Sequence, residues 1–135
     1  MEAMITEAEI KDIFFGIVST SALAGEVSGR VYTDGRPSVT DGSGKEDIAI
    51  SVNGNLYDTD RSTAFVYVNI YIKDKKRGKD LIVDQKRQRQ IEQLSMNCLE
   101  RGVSDRFRYR IAEQKTLPNE SEHVIINKIK IINIK

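Results

Sequence analysis

"TAFVYVNIYIKDKKRGKD", Thr63 to Asp80, opens with strict alternation and closes in a run of charges. Val66, Val68, Ile70 and Ile72 form an unbroken β-branched row, the side of a strand that covers a core. Phe65, Tyr67, Asn69 and Tyr71 form the opposite row. In an antiparallel sheet with helices on one side, that second face is wet and mostly polar. Three aromatics on it make an apolar patch of the kind that marks a contact surface. Tyrosine suits such a surface, because its ring buries area while its hydroxyl stays hydrogen-bonded. Two readings follow: self-association through this face, or coverage within one subunit by neighbouring strands, a long loop or Tyr32.

The flanking segments supply the rest of a domain. "DIAISV" alternates, with Ile48, Ile50 and Val52 on one side, and Asn53-Gly54 is a favourable turn dipeptide, so this strand and the next make a hairpin. Upstream, Ile10, Ile13, Phe14, Ile17 and Val18 fall on one helical stripe, opened by a Thr6–Glu9 capping box. "RVYT" is a short extended piece. Asp34 to Asp47, rich in glycine and carrying one of the two prolines, reads as a mobile surface loop at about 34–47. A second helix is expected from about Leu81 to Glu100, with Val83, Ile91, Leu94 and Cys98 on one face and Gly102 as its C-terminal glycine. "RFRYRIAEQ" then alternates, "TLPNESE" turns the chain, and "HVIINKIKIINIK" ends it as a long strand with Ile125, Ile129 and Ile131 opposite Lys128 and Lys130. The expectation is a single α+β domain over residues 1–135: a mostly antiparallel sheet of about four strands with two helices packed on one face.

At 135 residues with 39% hydrophobic and 30% charged side chains, the composition is that of an ordinary globular domain. The acidic start and the lack of an apolar run of about 20 residues give no secretory signal and no membrane span, so a soluble protein made in a cytoplasm, with no membrane partner, is expected. A single cysteine, Cys98, excludes an internal disulfide, and a single histidine, His123, excludes a two-histidine zinc site. "DGSGKED" lacks the spacing of a phosphate-binding loop, and the dinucleotide glycine pattern is absent. The acidic pairs lack calcium-loop spacing. No catalytic residues, cofactor or metal are therefore expected. A small enzyme would have to draw on His123, Asp47 and Cys98, and Cys98 sits on an apolar stripe where a buried hydrophobe is the plainer reading.

Net charge is +1, so any polyanion partner must be recognised locally. Lys73 to Arg89 holds eight cations against three aspartates. One reading is a solvated turn and helix face. The other is an electropositive patch of Lys75, Lys76, Arg77, Lys79, Arg87 and Arg89 meeting an acidic surface or a nucleic-acid backbone. In sequence the aromatics precede these charges and do not alternate with them, unlike a single-strand binder.

The order of elements, with "SALAGEVSGRVYTDGRPSVTDGSGKEDIAISV", the step Gly29-Arg30-Val31-Tyr32 into a proline-containing loop, "FVYVNIYIKD" and a helix near "QRQIEQLSMNCL", resembles the tail-terminator or tail-completion proteins of long-tailed bacteriophages and small prophage tail proteins. Lys73 to Lys79 is more basic than that pattern, and "DQKRQRQIEQ" replaces an alanine-rich second helix. The resemblance implies a structural protein of the virion tail, assembled in the bacterial host cytoplasm. It implies a ring of identical subunits, typically a hexamer, that docks on the tail-tube protein and offers its other side to the head connector. A closed ring uses a heterologous interface, which needs two complementary patches per subunit. Phe65, Tyr67 and Tyr71 are the candidates for one. The basic segment or the 34–47 loop would be the other.

Overall fold

The computed structural model describes residues 6–36, 45–55, 63–104 and 107–132. The elements are α1 (Glu7–Ser19), α2 (Ala22–Glu26), β1 (Val31–Thr33), β2 (Ile48–Asn55), β3 (Thr63–Lys73), β4 (Lys75–Arg77), β5 (Asp80–Ile82), α3 (Gln85–Leu99), β6 (Arg101–Val103), β7 (Arg108–Asn119) and β8 (Glu122–Ile132). Six strands form one sheet in the order β1-β2-β3-β8-β7-β6, and β4 with β5 forms a separate two-stranded piece. β1 joins β2 in parallel, and every other neighbour is antiparallel.

The expected fold class is corrected: among the described residues this is a mixed α/β domain with a six-stranded sheet, a second small sheet and three helices, not about four strands and two helices. β1 and β6 have three residues each, too few to show a period, and they join the sheet through their neighbours' free edges. The charged run after β3 folds back on itself as β4–β5, turning at Gly78 with φ 64°. Consequently α3 begins at Gln85, where the Asp84 side chain accepts from the Arg87 amide, and not near Leu81. Gly102 is a strand residue paired with Tyr109, and the cap of α3 is Glu100. Asn53 and Gly54 continue β2 opposite Phe65 and Ala64, and the connection that follows lies outside the described residues. Likewise β7 runs on through Pro118 and turns at Glu120, φ 58°. Of the expected 34–47 loop, 37–44 lie outside the described residues.

Local chemistry explains the helices. Thr6 Oγ1 accepts from the Glu9 amide while Glu9 Oε1 accepts from the Thr6 amide, satisfying two orphan donors of α1. At the other end Thr20 and Ser21 hydroxyls donate to Gly16 and Val18 carbonyls, and Ser21 Oγ accepts from Ala24 N to open α2. The helices cover one face of the sheet. Ile10, Phe14, Val18, Leu23, Ile91 and Leu99 pack there on Ile48, Ile50, Val66, Val68, Ile70, Ile72, Ile125, Ile129 and Ile131. Phe14 stacks on Phe107 and meets Tyr109 edge-on, at 6.0 and 5.0 Å between centroids.

One polar chain crosses this core. Asn127, fully buried, donates to the Val68 carbonyl at 3.1 Å and accepts from Gln114 Nε2 at 2.7 Å. Gln114 also donates to the Glu92 carbonyl, and Thr116 Oγ1 to the Glu92 carboxylate, so the chain ties β3, β8 and β7 to α3. Its members satisfy one another, which is the condition for tolerating polar groups at this depth.

Candidate functional site: the helix-free face of the sheet

From Phe65 to Tyr71 the odd-numbered residues of β3 point away from the helices. Phe65, Tyr67, Asn69 and Tyr71 are each half-buried, while the even positions from Ala64 to Ile72 are fully buried. The helix-free face therefore carries the expected aromatics, and each has a different environment. Tyr71 is roofed by Arg36, whose guanidinium carbon lies 3.6 Å from the ring centroid and whose Nη2 is ion-paired with Glu122. Phe65 has the Lys128 ammonium 4.4 Å from its centroid. Tyr67 faces Ser51 on one side and Lys128 on the other. The open question of coverage has a mixed answer: the residue after Gly35 covers Tyr71, and Phe65 and Tyr67 remain partly accessible.

Following the register across the sheet at Phe65 gives a row that sequence reading did not anticipate. Asn53 of β2 stands opposite Phe65 of β3, Phe65 opposite Lys130 of β8, Lys130 opposite Arg110 of β7, and Arg110 opposite Arg101 of β6. Neighbouring rows of the same face add Lys128 and Arg108. Arg101, Arg108 and Arg110 are exposed and the two lysines half-buried. No carboxylate among the described residues pairs with any of these five; Glu113, in the row of Lys128, pairs with Lys115 at 3.5 Å. Like charges directly opposite each other weaken a strand pair. Here three cations stand in line on adjacent strands.

The basic segment divides. Lys75, Lys76, Arg77 and Lys79 are exposed on the β4–β5 hairpin, beside exposed Leu81. With Ile82, Val83 and Gln85, the first three line an open cleft of about 540 Å³ at the root of the hairpin. Arg89 is exposed on α3. Arg87 is not available to a partner, because its guanidinium is engaged by Glu46, Glu26 and Gln90. Glu46 first, then Glu26, raise the Arg87 pKa further above its ordinary value against the opposing effect of burial. The hairpin cluster and the five-strand row sit toward opposite ends of β3, about 25 Å apart along a strand.

His123, Asp47 and Cys98 do not converge. Cys98 lies on α3 beside Ser21 and Tyr109. Tyr109 is opposite Ile131, whereas His123 lies eight residues earlier on the same strand, about 25 Å away. His123 Nδ1 instead meets the buried Asp74 carboxylate at 2.5 Å, joining the end of β8 to the end of β3. Asp47 accepts from the Arg30 amide at 3.0 Å and fills the space that a side chain at Gly29 would need. Among the described residues no group of His, Cys, Asp and Glu is arranged to hold a metal ion, and no helix is long and apolar enough to cross a membrane. No protein-family model matches the chain, and no curated protein matches it.

Proposed function

We propose that this chain is a structural assembly protein of the bacteriophage or prophage tail, acting as an oligomeric ring that caps the tail tube and joins it to the head connector. The observation that supports the reading is the helix-free face itself, where Phe65 and Tyr67 stay half-exposed on a central strand. A six-stranded sheet with helices on only one side leaves such a face for a partner.

Association through the β7 edge of the sheet is disfavoured by the chain's own devices. Beyond its three pairs with β6, β7 presents a long outer edge. A bulge between Ile111 and Glu113, the exposed Lys115 and Pro118 interrupt it. All three are means by which natural sheets avoid edge pairing. The ring would thus use the face for one of its two patches. For the second, the exposed hairpin cations Lys75, Lys76, Arg77 and Lys79 remain a candidate, and Phe15 of α1, 40% exposed on the other side of the sheet, is an apolar one.

Sedimentation of the purified chain, alone and mixed with a tail-tube protein, tests this. A ring-sized species, or co-sedimentation with tube ends, is expected, and Tyr67→Ala should diminish it. A chain that stays monomeric at high concentration and ignores tube ends would overturn the proposal.

A further inference from the structure

We infer that the cationic row Lys130–Arg110–Arg101, continued by Phe65 in the same register, is a binding site for single-stranded nucleic acid. This goes beyond the assembly reading and does not depend on it. It gives Phe65 to a nucleobase where that reading gives the same face to a protein neighbour, so the two are alternatives at that ring.

The row has no counter-charge among the described residues and adjoins an aromatic ring. Lys130, Arg110 and Arg101 occupy directly opposed positions on three adjacent strands, with Arg108 and Lys128 in the neighbouring rows. The three cations in line repel one another and no described carboxylate pairs with them, whereas Lys128 has the Phe65 ring beneath its ammonium and Glu113 opposite it. An external polyanion would turn each repulsion into attraction. Strands spaced about 4.8 Å apart set the three cations over roughly 10 Å, a span that one or two consecutive phosphates can follow. Two of the three are arginines, whose planar fork suits phosphate oxygens.

The aromatic neighbour narrows the class. Phe65 stands next in the row, and Tyr67 lies one row on. Rings beside a cationic track are what a single strand uses, with bases stacked on the rings and phosphates on the cations. A duplex keeps its bases stacked inside and would have no use for Phe65. An acidic protein surface would need the cations and not the ring. Sequence order hides this pattern, since the aromatic and the cations come from different strands. The β4–β5 hairpin is the weaker candidate: its cations ride on a two-stranded projection without aromatic residues.

The test is fluorescence anisotropy of a labelled twelve-nucleotide oligothymidylate with the full chain, titrated at several salt concentrations. Binding should weaken with a log–log salt slope of about −0.7 to −1.4, the value for one or two phosphates on a single strand. Arg110→Gln should make the slope shallower by about 0.7. Phe65→Ala should weaken binding about fivefold or more with the slope unchanged, because stacking carries no counterion. Arg110→Gln should also leave the melting temperature equal or higher, which separates a binding role from a structural one. A triple hairpin variant, Lys75→Ala with Lys76→Ala and Arg77→Ala, should bind as the parent does. The inference is overturned by no binding at low salt. It is equally overturned by loss of binding only in the hairpin variant, by tighter binding to duplex of equal length with Phe65→Ala silent, or by displacement of the oligonucleotide by polyglutamate at equal charge.

Discussion

The guanidinium of Arg87 straddles the carboxylate of Glu46, with Nε 2.7 Å from Oε2 and Nη2 2.6 Å from Oε1. Its other contacts reach Glu26 Oε1 at 2.6 Å and the Glu26 carbonyl at 2.9 Å. One side chain of α3 thereby fastens the end of α2 and the segment that leads into β2. Both partners of the straddled pair are mostly buried, at 20% and 13% side-chain exposure.

Removing that fork should unpair Glu46 in a partly dry setting. Arg87→Ala is expected to lower stability by about 1–3 kcal/mol, the cost of stranding a hydrogen-bonded charged group. Arg87→Lys should recover less than half of it, because an ammonium cannot span both oxygens and reach Glu26. Urea denaturation checks this: the midpoint should fall with the slope unchanged.

Gly102 has no room for a side chain. A Cβ there would lie 2.2 Å from Tyr109 Oη, 2.3 Å from Cζ and 2.7 Å from Cε1. Gly102→Ala should therefore destabilise by about 1–3 kcal/mol through forced displacement of a packed ring. Tyr109→Phe should not rescue it, since the ring carbons clash as well as the hydroxyl. Rescue by Tyr109→Phe in a thermal melt would contradict the packing described.

Asn127 is the link whose loss breaks the buried polar chain. Asn127→Ala should cost about 1–3 kcal/mol by leaving Gln114 Nε2 short of an acceptor and the Val68 carbonyl short of a donor. Asn127→Asp should cost more at neutral pH, because a carboxylate would then face that carbonyl in an apolar layer. Chemical denaturation of the two variants side by side reads the order.

Alkaline pH should weaken the fold through two neighbouring groups. Burial pushes the Cys98 thiol above its ordinary 9.0, against a hydrogen bond with Ser21. Burial, with Cys98 adding to it, pushes the Tyr109 phenol above its ordinary 10.0. Both are acids whose native pKa exceeds the unfolded one, so the native state holds protons that the unfolded chain releases. Their contribution is complete below about pH 9 and declines as pH rises through the native values. Stability measured from pH 8 to 11 should fall, and Cys98→Ala should remove the part of the decline that starts first. In the same range Cys98 should react with a thiol reagent more slowly in the folded than in the unfolded chain.

Local signals were legible where a side chain's role is set by its near neighbours. The Thr6–Glu9 box starts α1 because both partners lie within one turn. The faces of β3 and β8 follow from alternation alone, with Val66, Val68, Ile70, Ile125, Ile129 and Ile131 buried in the core. Asp80 to Val83 misled because three-residue strands carry no period, and Asn53-Gly54 because pairing with β3 overrode its turn preference.

The amino-acid order by itself settled which strand faces are apolar and where the first helix begins, since both depend on spacings of two to four residues. Only the tertiary structure decided that Arg87 belongs to Glu46 and Glu26, 41 and 61 residues away, and that Arg36 lies over Tyr71. It alone placed Phe65, Lys130, Arg110 and Arg101 in one line. Which residues of distant strands stand opposite one another is fixed by register, and register is set by the packing of the whole sheet against its helices.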